Sequence, residues 1–143
     1  MPQPRVFDVI TQLDERQIGQ LHALYQREWW TKGRSLESTR QCVTGSQVCI
    51  GLVDEAGDLA GFTRVITDFT FKAFVFDVII AEHSRGLGLG ERLVRLVLDH
   101  EPLRAVKHIE LYCLPELVPF YARYGFSDGV GAVRLMRRIE STA

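Results

Sequence analysis

The segment Ser84–Gly90 carries the strongest chemical signal in the sequence. It reads Ser-Arg-Gly-Leu-Gly-Leu-Gly, with glycine at every second position from Gly86 onward. Glycines leave backbone N–H groups uncovered, and no Ser, Thr, Asp or Asn directly precedes Leu89 to cap the helix that follows. The start of that helix adds the positive end of its dipole, and Arg85 adds a fixed positive charge. The pattern predicts a phosphate or pyrophosphate site, with a tight strand-to-helix turn as the simpler alternative.

Two familiar phosphate-binding patterns do not fit this segment. The Walker pattern G-x-x-x-x-G-K-[ST] is absent. The dinucleotide pattern G-x-G-x-x-G fails because Glu91 stands at the position of its third glycine. Neither standard nucleotide motif is therefore present.

The elements on either side must hold this segment at the end of a buried strand. Phe71–Ile80 is a near-continuous apolar run interrupted by Asp77, which predicts a central strand covered on both faces. Apolar residues at i, i+4, i+7 and i+8 from Leu89 predict an amphipathic helix that ends before Pro102. The other predicted elements are a strand Val6–Ile10, a helix from a capping box at Asp14 to about Glu28, a helix capped by Ser35 and ended by Gly45, a hairpin of Val48–Val53 and Leu59–Ile66, a strand His108–Cys113, a helix Leu117–Tyr124 and a strand Val133–Ile139. This order, βααβββαβαβ, predicts an α+β or mixed α/β fold around one sheet.

Length and composition predict a single domain over residues 1–143. The net charge of −1 provides no basic field for a polyanion, which argues against a nucleic-acid partner. Three cysteines without C-x-x-C spacing fit a reducing cytoplasm. Met1–Ile10 lacks the features of a secretory signal, and the longest apolar stretch, Ala73–Ala81, is too short to span a bilayer. We therefore expect a soluble cytoplasmic protein without a membrane partner.

Three segments resemble the GNAT superfamily of N-acetyltransferases. Arg85-x-x-Gly88-x-Gly90 is similar to the acetyl-CoA loop of that family, and Phe120–Phe126 resembles its "lYekfGF" segment. Asp77–Glu82 resembles the strand that leads into the loop. The predicted order of elements also resembles the GNAT fold, which implies a central mixed sheet with helices on both faces.

This resemblance implies acetyl-CoA as co-substrate and assigns roles to particular residues. The pyrophosphate of CoA would lie on the backbone amides of Arg85, Gly86, Leu87, Gly88, Leu89 and Gly90. Pantetheine would pair with the exposed backbone of Ile79 and Ile80 as an added strand. Tyr121 would protonate the leaving thiolate, which suits a phenol of pKa ~10 and a thiol of pKa ~8.5. The simpler alternative for Tyr121 is an aromatic core residue.

The reaction also needs a neutral amine, and a carboxylate base is suited to generate it. Asp77 is the first candidate because it interrupts an apolar strand, where an unpaired charge is unfavourable. Its structural alternative is a partner for an arginine or a backbone amide. Glu82 is the second candidate, with a solvated loop carboxylate as the alternative.

The residues that would bind the acceptor amine are less well marked. Trp29 and Trp30 close the first helix. One of them is expected in the core, and the other, taken as Trp30, is expected to be an exposed wall for the amine through cation–π attraction. Asp68 is a candidate for binding a cationic substrate, with a turn former as the alternative. The histidines lack ligand spacing, so no metal site is expected.

The resulting hypothesis is direct acetyl transfer from acetyl-CoA to a primary amine, first of all that of a small molecule. Three alternatives stay open: a peptide or protein amine as acceptor, a CoA or acyl-CoA sensor without turnover, and a small nucleotide-binding regulator. The protein is expected to be a monomer or a homodimer.

Overall fold

The computed structural model describes residues 5–140, which divide into two compact units, residues 5–111 and 112–140. The first unit contains the strands β1 (Asp8–Ile10), β2 (Val48–Val53), β3 (Leu59–Thr67), β4 (Lys72–Ile80) and β5 (His108–Glu110), and the helices α1 (Glu15–Arg27), α2 (Leu36–Thr44) and α3 (Leu89–Asp99). Short 3-10 turns lie at Glu82–Ser84 and Glu101–Leu103. The second unit contains a 3-10 turn at Pro115–Leu117 and the helix α4 (Val118–Ala122).

One mixed sheet organises the first unit. Its five strands follow the order β1-β2-β3-β4-β5, and all neighbours are antiparallel except β4 and β5, which are parallel. Helix α3 makes the crossover between these two parallel strands, as parallel pairing requires. The predicted fold class is confirmed.

The sheet separates two apolar cores. Along β2, Val48, Ile50 and Leu52 pack into one core together with α3, whereas Cys49 and Val53 pack into the other together with α1. This alternation is the period of two that strand geometry imposes. Both faces of the sheet are therefore covered by helices, as predicted.

The two helices on the α1 side begin where the sequence indicated. Asp14 accepts a hydrogen bond from the Gln17 backbone amide, and the Gln17 side chain accepts one from Asp14, which completes the predicted capping box. Ser35 caps α2 in the same way by accepting from the Ser38 amide. These caps satisfy amides that a helix start would otherwise leave unpaired.

The last predicted strand, Val133–Ile139, is wrong. The described residues supply no ladder partner for this segment, and its apolar side chains lie in solvent, with Met136 92% exposed. The apolar residues of this segment suggested a strand, but a strand also needs a neighbour to pair its backbone. For the same reason β5 ends at Glu110 rather than at Cys113, since its ladder to β4 stops there.

None of the described helices combines the length and the apolar character that crossing a bilayer requires.

Candidate active site

The glycine segment forms an open loop between β4 and α3. Gly86 and Gly88 have left-handed backbones with φ of 78° and 75°, and a Cβ built on either one would meet no atom within 4 Å. Glycine is therefore required here by conformation rather than by lack of space. Gly88 is the N-cap of α3, and no side chain caps that helix end. The amides of the first turn of α3 are thus available to an external anion.

Two ion pairs join the end of α1 to this loop. Arg85 Nη2 lies 2.6 Å from Glu28 Oε1, and Arg27 Nη1 lies 2.7 Å from Glu82 Oε2. Exposed pairs of this kind contribute only ~0.2–1 kcal/mol each, so they guide the position of the segments more than they stabilise the fold. The charge of Arg85 is already shared with Glu28. The loop's capacity for anions therefore rests chiefly on its backbone amides.

The strand leading into the loop has an open backbone edge. The ladder between β4 and β5 joins only Lys72, Ala73 and Phe74 to their partners. The ladder to β5 does not extend to Ile79 and Ile80, whose register partners are on β3. Ile79 is buried and Ile80 is half-buried, so their side chains pack against the cores. An extended ligand could join this edge as an added strand.

A β-bulge interrupts β4 at Asp77. The register pairs Phe62 with Ile79 and Arg64 with Phe76, so Asp77 and Val78 together face one residue on β3. Asp77 has a left-handed backbone with φ of 59°, a conformation that L residues other than Gly, Asn and Asp adopt at a cost of about 1–2 kcal/mol. The extra residue leaves the ladder locally unpaired, which is typical of strands beside active sites.

This bulge reverses the alternation of side chains along β4. Before it, Ala73 and Val75 pack into the α3-side core. After it, Val78 and Ile80 pack against that same core, whereas Ile79 enters the α1-side core. The extra residue reverses the alternation, so both halves of the strand send apolar side chains to the same face.

The Asp77 carboxylate is buried and fully engaged, with 5% of its side chain exposed. Its Oδ2 accepts hydrogen bonds from Tyr25 Oη at 2.9 Å, Arg34 Nη1 at 2.7 Å and Arg64 Nε at 2.7 Å. Its Oδ1 accepts from Arg34 Nη2 at 3.2 Å. We call this group of four residues the Asp77 clamp. Arg34 also lies over the Tyr25 ring at 4.4 Å.

Electrostatics in the clamp favour the structural alternative for Asp77. Burial alone would raise the pKa of Asp77, but the hydrogen bonds and charges of Arg34 and Arg64 outweigh burial and hold that pKa below its ordinary value. Burial, followed by the Asp77 charge, raises the pKa of Tyr25 far above its ordinary value, so Tyr25 remains a neutral donor. A carboxylate with these partners is a weak base.

Glu82 offers a more accessible carboxylate. It lies in the 3-10 turn that follows β4, its side chain is 69% exposed, and it pairs with the exposed side chain of Arg27. Water and ligands can therefore reach its oxygens. It is close in the chain to both Ile80 and the glycine loop.

Neither tryptophan belongs to the core, and the expectation that one of them would is wrong. Helix α1 ends at Arg27, because Glu28 already has an extended backbone. Trp29 and Trp30 therefore lie in the turn beyond the helix, with 72% and 40% of their surfaces exposed. They are the two residues that follow Glu28, whose side chain pairs with Arg85 of the glycine loop.

Asp68 lies away from these groups, at the opposite end of β4 from the glycine loop. The strand between them spans roughly 30 Å at the rise of an extended chain. Asp68 Oδ1 accepts hydrogen bonds from the amides of Thr70, Phe71 and Lys72, which also lower its pKa. This geometry favours the turn-former alternative for Asp68.

Tyr121 belongs to the second unit and lies on α4. Its side chain is largely buried, and its ring packs edge-on against Phe120 at 5.0 Å and Phe126 at 6.1 Å. Burial, assisted by the Cys113 thiol, raises the pKa of Tyr121 to about 12. The phenol is consequently protonated throughout the physiological range and acts as a hydrogen-bond donor.

The described residues contain no group of three or more His, Cys, Asp or Glu side chains that could hold a metal ion. All three cysteines are free thiols.

Sequence reasoning did not identify the clamp partners of Asp77. Tyr25 lies within the first predicted helix and Arg64 within the predicted hairpin, and nothing in those local patterns marks either as a partner of Asp77. The available signal was a pair of matching interruptions, since Arg64 breaks the apolar run of β3 as Asp77 breaks that of β4. Opposite charges on neighbouring strands are expected to pair when both are buried.

The sequence of residues 13–126 matches the profile of the Acetyltransferase (GNAT) family. The chain belongs to this family. The match covers the glycine loop, β4 and Tyr121, and so confirms the family suggested by the sequence motifs. GNAT proteins are acyltransferases that use acetyl-CoA and act on amines, and the predicted enzyme class is confirmed at that level.

Individual relatives support the same assignment. An uncharacterized N-acetyltransferase, ycf52, from Pyropia yezoensis is 31% identical over 117 residues, which are 78% of this chain and 67% of that protein. Serotonin N-acetyltransferase 2, chloroplastic, from Oryza sativa subsp. japonica is 35% identical over 124 residues, 83% of this chain. The chain spans only 60% of the length of this rice protein. Among solved structures, a GNAT-family protein from Xanthomonas campestris pv. campestris has a TM-score of 0.81 and 29% identity, and the similarity covers 98% of this chain and 95% of that one.

Proposed function

We propose that the protein transfers the acetyl group of acetyl-CoA directly to a primary amine, first of all that of a small molecule. The observation that carries the proposal is the start of α3, where Gly88 is left-handed and no side chain caps the helix, together with the end of β4 that lies beyond its ladder to β5. Amides of the loop from Arg85 to Gly90 hold the pyrophosphate, and the backbone of Ile79 and Ile80 pairs with pantetheine. Acetyl-CoA is the co-substrate, and the proposal includes no metal.

The chemistry is a single displacement at the thioester carbonyl. The amine nitrogen forms a bond to the carbonyl carbon, and backbone amides at the β4 bulge stabilise the negative charge that develops on the oxygen. The carbon–sulfur bond then breaks, and Tyr121 donates a proton to the departing sulfur. Orientation and electrostatics supply most of the acceleration, so no covalent enzyme intermediate is needed.

The proton of the ammonium group leaves through Glu82 or through water. Glu82 is exposed and follows β4 directly, whereas both oxygens of Asp77 are occupied by the clamp. This difference in access supports Glu82 over Asp77 as the base.

The acceptor is an amine, and an arylalkylamine, a primary alkyl amine that carries an aromatic ring, is favoured. Trp29 and Trp30 expose indole surface and follow Glu28, which pairs with Arg85, and an aromatic ring or an ammonium group can stack on such a surface. The rice relative carries the name of a serotonin N-acetyltransferase, and serotonin is an arylalkylamine. A peptide amine is the second acceptor class, and the proposed compartment is the cytoplasm.

Ligand binding tests the first half of this proposal. Thermal unfolding is measured with acetyl-CoA, CoA and ATP in parallel. A ligand at 100 times its Kd stabilises the folded state by ~2.7 kcal/mol, a rise in Tm of roughly 5–10 °C for a chain of this size. Stabilisation by acetyl-CoA and CoA but not by ATP is expected. No shift with acetyl-CoA would contradict the proposal, and stronger stabilisation by ATP would indicate a nucleotide-binding regulator.

An acceptor panel tests the second half. Release of the CoA thiol is followed with arylalkylamines, aliphatic amines without a ring and peptides with free amino groups, and each product is checked by mass spectrometry. Acetylation of small arylalkylamines is expected. Acetylation of peptides alone would replace the small-molecule acceptor by a protein amine. Tight CoA binding without any acetylated product would identify a sensor.

A further inference from the structure

The left-handed residue in the middle of β4 is held by an unusual number of contacts. Asp77 receives hydrogen bonds from three side chains that lie on three different segments: Tyr25 on α1, Arg34 between α1 and α2, and Arg64 on β3. A β-bulge can form without such side-chain contacts, since bulges also occur in exposed edge strands. These three contacts together hold the bulge in place.

A further bond fixes the bulge from β3. Thr63, which faces Asp77 and Val78 across the ladder, donates a hydrogen bond from Oγ1 to the Phe76 carbonyl at 2.9 Å. Thr63 is fully buried. The residue before the bulge is therefore anchored as well, and the chain cannot relax into a regular ladder without breaking buried polar contacts.

We propose that Asp77 is a positioning residue, whose clamp by Tyr25, Arg34 and Arg64 holds the β4 bulge, and with it the backbone of Ile79 and Ile80, in place for the acetyl thioester. This inference rests on the proposed function. The bulge lies immediately before Ile79 and Ile80, on the strand whose open edge would pair with pantetheine. A shift of the bulge by one ångström would misplace this backbone relative to the carbonyl oxygen, and such misplacements reduce rates by up to ~100-fold.

The clamp and the base hypothesis predict different behaviour for Asp77. A base needs a free lone pair and produces a limb in the pH–rate profile. The titratable and charged groups facing Asp77 are Tyr25, Arg34 and Arg64, with the Cys42 thiol 3.9 Å from the Tyr25 hydroxyl. A positioning residue affects kcat without removing a limb of the profile.

Three substitutions at Asp77 separate conformation from charge. Asp77→Asn retains an oxygen acceptor and tolerates the left-handed backbone, Asp77→Gly retains only the conformational freedom, and Asp77→Ala retains neither. We expect kcat to fall by ~10–100-fold in Asp77→Ala and by less than ~10-fold in Asp77→Asn, with Asp77→Gly between them. The KM for acetyl-CoA should change less than kcat, and the pH profile should keep its shape. The proposal would be overturned if the pH–rate profile of Asp77→Asn lacked a limb that the wild-type profile has. Unchanged kcat in Asp77→Ala would also overturn it.

A partner variant keeps the test decisive if substitution of Asp77 prevents folding. The Arg34 side chain is 29% exposed, so Arg34→Gln removes one arm of the clamp at a site that solvent can reach. Arg40→Gln is the matched control, because Arg40 forms exposed ion pairs with Glu15 and Glu37, neither of which belongs to the clamp. We expect lower kcat in Arg34→Gln and unchanged kcat in Arg40→Gln. Equal kcat in both would overturn the proposal.

Amide hydrogen exchange provides a readout that does not depend on activity. Exchange at the amides of Asp77 and Val78 is measured by NMR in the wild type and in both arginine variants. Faster exchange at these amides is expected in Arg34→Gln alone, and equal exchange in all three proteins would overturn the clamp. A wild type that binds no acetyl-CoA would overturn the proposed function, whereas the exchange comparison would still decide whether the clamp holds the bulge.

Discussion

Placing a carboxylate in the glycine loop gives the sharpest prediction for the cofactor site. Gly88 has a left-handed backbone with open space where a Cβ would lie, and both Asp and Asn tolerate this conformation. Gly88→Asp and Gly88→Asn therefore have nearly the same shape and the same conformational strain. They differ in one negative charge beside the amides that would bind the pyrophosphate.

The magnitude follows from Coulomb's law. A carboxylate ~5 Å from a doubly charged pyrophosphate is repelled by ~1.7 kcal/mol in bulk water, and by more at the lower effective dielectric of a protein surface. Acetyl-CoA should thus bind Gly88→Asp at least ~10-fold more weakly than Gly88→Asn. The free energies of unfolding of the two variants should agree within ~0.5 kcal/mol, since the site is open and exposed.

The assay is calorimetric titration of each variant with acetyl-CoA, accompanied by denaturant unfolding. It is repeated at high ionic strength, where screening should reduce the difference between Asp and Asn. Equal Kd values for Gly88→Asp and Gly88→Asn at low salt would refute the reasoning. The loop would then be a strand-to-helix turn with no anion beside it.

Further predictions concern Tyr121 and Asp77. Tyr121→Phe should lower kcat by roughly 10–10⁴-fold while the acetyl-CoA Kd stays within about twofold, and equal kcat would remove the phenol from the mechanism. Because the pKa of Tyr121 is about 12, acetylation should not decline between pH 7 and 10 through phenol ionisation, as a pH–rate profile would show. The pKa of Asp77 is lower in the folded protein than in the unfolded chain, where it is ~3.9. The ionised carboxylate therefore stabilises the folded state fully above pH ~3.9, and this stabilisation is lost as the pH falls through the lower pKa of the folded protein. In denaturant unfolding, the free energy of unfolding of Asp77→Asn should be lower than that of the wild type, and the difference should become smaller below pH ~4. A difference that does not change with pH would contradict this prediction.

Most of the fold could be predicted because local signals agreed with the tertiary structure. The capping box at Asp14, the serine cap at Ser35 and the hairpin turn between β2 and β3 all occur where the sequence placed them. Each of these signals acts within a few residues, so sequence spacing was sufficient. The segment Val133–Ile139 shows the limit, because a strand depends on a distant partner that its own residues do not specify.

The site was predictable where backbone conformation mattered and less so where side chains meet. The glycine loop follows from residue types, since left-handed turns and an uncapped helix start require glycine. Asp77 was recognised as unusual, but its partners lie far from it along the chain, and only the register of β3 and β4 brings Arg64 beside it. The bulge itself could not be predicted. Because β4 carries apolar residues on both faces, an extra residue leaves no visible break in its sequence pattern.

Transfer of an isotopically labelled acetyl group tests the central claim most directly. The wild-type protein is incubated with labelled acetyl-CoA and an arylalkylamine, and the amine is analysed by mass spectrometry beside a Gly88→Asp control. The account predicts labelled N-acetylamine with the wild type, in amounts equal to the CoA thiol released, and much less with Gly88→Asp. Tight binding of acetyl-CoA with no label on any arylalkyl, aliphatic or peptide amine would contradict it.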